Sequence, residues 1–509
     1  MPNLLDPVSR HAHLAPESVA VRGDHPNWSY SSLHARCLRY AGRLRMAGVV
    51  PGDRVLLAAP SVPEFVVAYL GVQVLGATVI TVNTMSTEAE IGYYLDDTDA
   101  ALAIGWHELS GAVRQAAAAA SVPYLELAAE PSRDETDGER TDFGAVDTID
   151  VVDRRPDDTA AILYTSGTTG KPKGAELTVA NLLAAGEIAS QVSRSTADDR
   201  VGTGLPLFHV FGQSSVMMSA LTGGGSLSLL KRFTPDAMVE MIRRDRLTVV
   251  CGVPTMWNAL LHNRTESATD DFAHLRIAVS GGASLPGEVA RAFEARYGCT
   301  LLEGYGLTET AAMATFNDVD HSPKIVSTGR AVPRTEIEIR DPDGHVCAAG
   351  TVGEVYIKGP TVLKGYWRRP EATAAVLSVD GWFRTGDLGV FDEDCDLRIV
   401  DRVKDLIIRG GYNVYPGEVE DVLYEHPAVV EAAVVGVPDT HYGEEVAAVV
   451  VLRAGSDTTP GEIEAWCRER LSAYKIPRLI RFVDELPKGS TGKILKRQID
   501  RADLRGART

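Results

Sequence analysis

Ala161-Ile-Leu-Tyr-Thr-Ser-Gly-Thr-Thr-Gly-Lys-Pro-Lys-Gly174 joins an apolar segment to a polar, glycine-rich one. An apolar run enters a dense group of Gly, Ser and Thr that carries two lysines. That order predicts a buried strand feeding an anion-binding loop. Gly167, Gly170 and Gly174 let the backbone bend and approach an anion closely. Ser166, Thr168 and Thr169 supply hydroxyl donors, and Lys171 and Lys173 supply positive charge, a set that suits a triphosphate. The loop is not a Walker A motif, because Gly170-Lys171 is followed by Pro172 rather than Ser or Thr. Pro172 also disfavours the helix that a Walker A loop requires.

Outward from this loop, helical and β-rich segments alternate, which predicts an α/β architecture with largely parallel sheets. Leu33 to Met46 reads as an amphipathic helix stopped by Gly48, and Arg54 to Ala58 as a short apolar strand. Phe65 to Val82 carries no charge and is long enough to raise the question of a membrane span. Gly71, Gln73, Gly76 and Thr78 interrupt it, so a buried helix (Phe65 to Leu75) and a buried strand (Thr78 to Val82) are expected instead, with no integral membrane segment. Glu130 to Asp158 is rich in Asp, Glu, Arg and Gly and reads as a solvated surface connection. Residues 335–401 turn strand-rich, with turn signals at Asp341-Pro342-Asp343-Gly344 and at Asp392 to Asp396. Beyond them, a helix (Pro416 to Tyr424), strands (Val429 to Gly436, Glu445 to Leu452), a helix (Thr459 to Leu471) and a strand (Leu479 to Val483) form a small α+β pattern. The expected organisation is a large N-terminal domain, residues 1–402, of α/β subdomains plus a β-rich subdomain. A small mobile α+β domain, 403–509, follows it.

At 509 residues the chain exceeds one ordinary core. A net charge of −18 argues against non-specific nucleic-acid binding and against an anionic membrane surface. The six cysteines form no Cys-x-x-Cys pair, so they read as small buried apolar residues of a reduced protein. Met1 to Leu14 lacks the basic and apolar regions of a signal peptide, and a cytoplasmic location is expected.

Four further motifs follow the loop: Tyr305-Gly-Leu-Thr-Glu-Thr310, Gly381-Trp-Phe-Arg-Thr-Gly-Asp387, Asp401-Arg-Val-Lys-Asp405 and Leu486-Pro-Lys-Gly-Ser-Thr-Gly-Lys493. In this order, and spread over nearly the whole chain, they resemble the adenylate-forming superfamily of acyl- and aryl-CoA synthetases, adenylation domains and beetle luciferases. The resemblance implies activation of a carboxylic acid by ATP to an acyl-adenylate, then transfer to coenzyme A. It implies ATP contacts from Thr165 to Gly170, Lys171, Lys173, Gly282, Ala283, Glu303, Gly304, Tyr305, Gly306, Thr308, Asp387, Arg402 and Lys493. Among these, Tyr305 is expected to stack on adenine, Thr308 to bond the α-phosphate, and Asp387 to accept the ribose hydroxyls. Glu309, with Thr169, is the implied magnesium site, a hard oxygen set. Lys493 is the implied catalytic cation of adenylation, carried on a Gly-rich loop. Lys404 is the implied hinge, and Gly410, Gly411 and Tyr412 are the residues expected beside the pantetheine in a second pose.

Leu205-Pro-Leu-Phe-His209-Val-Phe211-Gly212 precedes an apolar helix expected from Ser214 to Leu221. By resemblance His209 borders the acid and the thiol path. The acid pocket is expected from His209, Phe211, Met217, Val253, Gly282, Ala283, Gly304, Ala312 and Met313. These are small or apolar apart from His209. No Arg or Lys stands among them to hold a second carboxylate, which argues against malonate-like acids. The motifs most resemble bacterial fatty acyl-CoA ligases, with coumarate-type aryl-CoA ligases close by. One departure stands out: Thr178 is followed by Val179, where the family usually has His. No carrier-like segment lies between Lys493 and Thr509, so a fused peptide-synthetase module is not expected. A separate carrier protein as acceptor and a homodimer stay open on the sequence, whereas a non-catalytic sensor would usually lose a key residue and Lys493, Glu309, Asp387 and Thr308 are all present.

Overall fold

The computed structural model describes residues 2–23, 27–129, 149–165, 171–263, 269–321 and 323–504. Ser166, Gly167, Thr168, Thr169 and Gly170 lie outside the described residues, as does most of the 130–158 connection.

Two large sheets dominate. In one, Arg54–Ala58, Thr78–Thr81, Leu102–Trp106 and Thr159–Thr165 run parallel, and Lys173–Thr178 pairs antiparallel with Thr159–Thr165. The glycine-rich stretch is therefore part of a β-hairpin, with Thr165 opposite Lys173 at the base of its tip. Ala160, Ala161 and Ile162 are fully buried, as a central strand with two covered faces requires. In the other sheet Arg200–Thr203, Val249–Gly252, Ile277–Ser280 and Leu301–Tyr305 are parallel neighbours. One core joins both sheets through the helices Tyr30–Met46, Pro63–Val74 and Val179–Val192. From Glu64 to Val74 the helix Pro63–Val74 is buried on every face, so the missing charges from Phe65 onward reflect enclosure. No helix among the described residues is long and apolar enough to cross a membrane.

The β-rich segment is a four-stranded antiparallel sheet of Glu336–Arg340, Gly353–Lys358, Phe383–Phe391 and Leu397–Arg402. Both turn signals close there, Gly344 N–H donating to Asp341 O at 3.0 Å and Asp392 N–H to Asp396 O at 3.1 Å. The fold is thus α/β with a large N-terminal domain and a smaller C-terminal one. The latter has its own core. Along Val429–Asp439, Ala432 and Val434 enter one cluster while Ala433, Val435 and Val437 enter another, the period-two signature of a strand covered on both faces.

Three expectations need correction. Residues 149–158 are not simply solvated: Arg154 is buried and donates to Ala77 O at 3.0 Å and Thr159 O at 2.7 Å, because the backbone there has carbonyls to satisfy. The expected helix Ser214 to Leu221 is a π-helix from Phe211 to Met218 followed by an α-helical turn, a geometry that apolar periodicity does not encode. Of the six cysteines four are buried, but Cys347 is partly exposed and Cys395 sits on the surface in a turn.

Candidate active site

A cavity of about 1210 Å³ opens where the carboxyl ends of the parallel strands meet the hairpin, the four-stranded sheet and the loop 489–493. His209, Phe211, Val253, Gly282, Ala283, Gly304, Ala312 and Met313 line it, with Thr165, Lys173, Glu303, Tyr305, Gly306, Thr308, Glu309, Asp387, Arg402, Lys404 and Lys493. Several expected residues lie elsewhere. Met217 is buried behind the wall. Lys171 is exposed, its ammonium 5.2 Å from the Tyr93 ring centroid. Gly410, Gly411 and Tyr412 are exposed outside the cavity, where Tyr412 stacks on Tyr474 at 4.9 Å.

Asp387 is the anchor of the polar end. It is buried at the hairpin-like pairing of Phe383–Phe391 with Leu397–Arg402, which sets it opposite Arg402. Its Oδ1 lies 3.0 Å from Arg402 Nε, and its Oδ2 accepts the Tyr305 hydroxyl at 2.7 Å. Burial and the Asp387 charge hold Tyr305 far above the usual phenol range, so it remains a donor. Glu309, in the short turn Thr308–Thr310, accepts from Tyr366 at 2.9 Å and from Thr165 at 3.4 Å. Lys173 stands over the Tyr366 ring at 4.7 Å. Glu303 accepts the Leu285 N–H at 3.1 Å, and burial pushes its carboxyl up to about 8.

Lys493 reaches this group from the C-terminal domain. A tight turn presents it: Gly489 N–H donates to Lys493 O and Gly492 N–H to Gly489 O, each at 2.9 Å. Gly492 has φ +82, and a Cβ there would stand 2.9 Å from Thr255 Oγ1. The turn docks through Thr255 Oγ1 donating to Gly492 O at 2.9 Å and Asn83 Nδ2 donating to Ser490 Oγ at 2.8 Å. Asn258 Nδ2 adds a bond to Val430 O at 2.8 Å. Burial, then the Arg402 charge, lowers the Lys493 ammonium to about 8. Burial and the nearby Lys493 push His209 down to about 4, so it is neutral at physiological pH. Its Nδ1 accepts the Phe211 N–H at 3.3 Å, which leaves the ring hydrogen on Nε2.

The apolar end runs beneath the second sheet. Val253, Cys251 and Val249 alternate along one strand face and all line the cavity, together with Val201 and Val279 from neighbouring strands. Ser215 and Ser219 line it from the helical side, as do Ala189 and Val192. The period-two run Val249-x-Cys251-x-Val253 was a readable signal for this wall. Asn83, Asn258 and Tyr366 carried none, because each acts through a partner remote in sequence.

Two sequence profiles match the chain: AMP-binding enzyme over residues 8–367 and AMP-binding enzyme C-terminal domain over 418–493. It is 38% identical over 496 residues to a feruloyl-CoA synthase of an Amycolatopsis species, covering 97% of each. A long-chain-fatty-acid–CoA ligase of Bacillus subtilis is 36% identical over 516 residues, covering 95% of this chain and 91% of that one. The crystal structure of ATP-bound MatB from Rhodopseudomonas palustris superposes with a TM-score of 0.89 at 34% identity, covering 99% of each chain. The protein belongs to the family of AMP-binding enzymes. Within that family it is an acid–CoA ligase of the AMP-forming, acyl-adenylate type.

Proposed function

We propose that the protein activates a monocarboxylic fatty acid of medium or long chain. The observation that carries this reading is the apolar lobe along Val249 to Val253. Four residue steps of a strand span about 13 Å at roughly 3.3 Å each. An extended chain gains roughly 3.3–3.6 Å per three bonds, so the lobe matches about eleven bonds of an acyl tail. Among the described residues no Lys or Arg lines this wall, in keeping with an uncharged tail.

In the first step a carboxylate oxygen attacks the α-phosphorus of ATP, the bond to the bridging β-oxygen breaks, and pyrophosphate leaves. Lys493, Thr308 and the loop Thr165–Lys173 are assigned to the phosphates, and Asp387, Arg402 and Tyr305 to the nucleoside. The Gly281-Gly282-Ala283 end and Glu303–Gly306 are assigned to the walls around adenine and carboxylate. Negative charge concentrates in the transition state, so a buried ammonium is worth more here than in water. Glu309 fits magnesium: it is a buried carboxylate beside two hydroxyl oxygens and has no cationic partner among the described residues. Bound there with Thr169, the ion would neutralise phosphate charge. In the second step the sulfur of coenzyme A attacks the acyl carbon and AMP leaves. His209 is assigned to the thiol path. Residues 403–509 are assigned as a mobile domain that turns about the exposed Lys404 and brings Gly410, Gly411 and Tyr412 to the pantetheine.

A second reading is an aryl acid of the hydroxycinnamate kind. It is supported by the Ser215 and Ser219 hydroxyls on the lobe wall and by the feruloyl-CoA synthase relative. The test is incubation with magnesium-ATP, coenzyme A and a pool of fatty, aryl and dicarboxylic acids, with products read by mass. A decanoyl or dodecanoyl thioester supports the first reading, and an aryl thioester replaces it with the second. Acyl-adenylate without thioester overturns coenzyme A in favour of a carrier protein.

A further inference from the structure

The helix Pro416–Tyr424 begins without a cap of its own: Tyr415 at its N-cap makes no side-chain bond to the first turn. Its first N–H groups therefore need an outside acceptor. The acceptor is Asp401, on the other side of the hinge, whose Oδ2 takes the Gly417 N–H at 3.0 Å. The same carboxylate takes the Arg402 N–H on Oδ1 at 2.7 Å. A Cβ on Gly417 would stand 3.0 Å from Val400 O, so the helix end lies against the strand Leu397–Arg402. One turn on, Asp421 faces Arg398 of that strand at 3.7 Å. Lys496 bonds Glu420 of the helix at 2.7 Å. Burial alone would lower the Lys496 ammonium, but the Glu420, Asp401 and Asp405 carboxylates outweigh it and hold it up. A negative charge at a helix N-terminus is also favoured by the aligned peptide dipoles.

Resting on the assignment of 403–509 as a domain that swings about Lys404, these contacts have a directional consequence. Asp401 precedes the hinge and Gly417 follows it, so the bond exists only in the pose that holds Lys493 beside Asp387 and Arg402. We infer that Asp401 is a positioning residue for Lys493: it caps the helix Pro416–Tyr424 across the hinge and so weights the adenylating pose against the thioester-forming one. The ratio of the two half-reaction rates reports that balance, since a misfolded fraction lowers both rates alike.

The test uses the full-length protein with ATP–pyrophosphate exchange on dodecanoate for one half-reaction and consumption of dodecanoyl-adenylate by coenzyme A for the other. Asp401→Ala removes the cap, and the ratio of adenylation to thioester formation falls roughly five-fold, as for a lost N-cap. Asp401→Asn keeps an acceptor oxygen and restores part of the ratio. Gly417→Ala crowds Val400 from the far side of the hinge, leaves Arg402 untouched, and shifts the ratio the same way. Spin labels at Met85→Cys and Glu469→Cys, both exposed, with Cys347 and Cys395 replaced by serine, read the same population shift with no acid present. Equal losses in both half-reactions, or a shift in Asp401→Ala without one in Gly417→Ala, overturn the inference. So do label distances that do not change. Adenylation that survives Lys493→Ala instead sinks the assignment of the site, a distinct outcome.

Discussion

Lys493→Met separates the role in adenylation proposed for this lysine from what its charge costs the fold. The ammonium is held near 8 rather than its ordinary 10.5 by burial and by the Arg402 charge. Each unit corresponds to about 1.4 kcal/mol, so keeping Lys493 charged in the folded protein costs about 3 kcal/mol. The unfolded chain binds more protons than the folded one between the two values, so stability rises with pH across that window. The native protein therefore carries the full penalty below pH about 8 and sheds it as the pH approaches 10.5. Methionine fills a similar volume without charge. The variant without nucleotide should resist urea better at pH 7, by up to about 3 kcal/mol, and that gain should vanish by pH 10.5. Over the same comparison ATP–pyrophosphate exchange should fall by about 10²–10³, the range for one lost transition-state donor. A variant no more stable than the native protein at pH 7, or a gain undiminished at pH 10.5, would show that the Lys493 charge carries no such cost.

Three other outcomes are expected. Cys251→Trp places an indole across the wall between Val249 and Val253, and kcat/KM for dodecanoate should drop at least ten-fold while butyrate is spared; equal losses on both acids would sink the apolar lobe as the tail site. Gly492→Ala puts a Cβ 2.9 Å from Thr255 Oγ1 at φ +82. It should slow adenylation about ten-fold and leave thioester formation from a supplied adenylate unchanged, as half-reaction assays would read. Glu309→Gln keeps the shape but removes the charge, and the magnesium concentration for half-maximal exchange should rise about ten-fold; an unchanged requirement would remove Glu309 from the metal site.

Local chemistry is what the chain displays openly. The strand Arg54–Ala58 and the helix Pro416–Tyr424 carry their boundaries in their own residues, and Pro172 disfavours a helix after the Gly-rich loop. The helix Pro460–Arg470 announces itself with Thr459 and Glu462, which form a capping box. Asp387, Arg402, Glu309, Thr308 and Lys493 were each legible because they sit in compact motifs whose order resembles one superfamily. The tertiary structure alone decided which of them meet. Tyr305 bonds Asp387, Tyr366 bonds Glu309, and the turn of Lys493 docks on Asn83 and Thr255, across separations that no local pattern records. It also decided that Asp401 caps the helix Pro416–Tyr424 and that Ser215, in the π-helical stretch beginning at Phe211, lines the cavity. Hydrophobic periodicity and turn chemistry depend on neighbours in the chain and can be read from it. Burial, charge coupling and docking depend on neighbours in space, and those exist only once the sheets have packed.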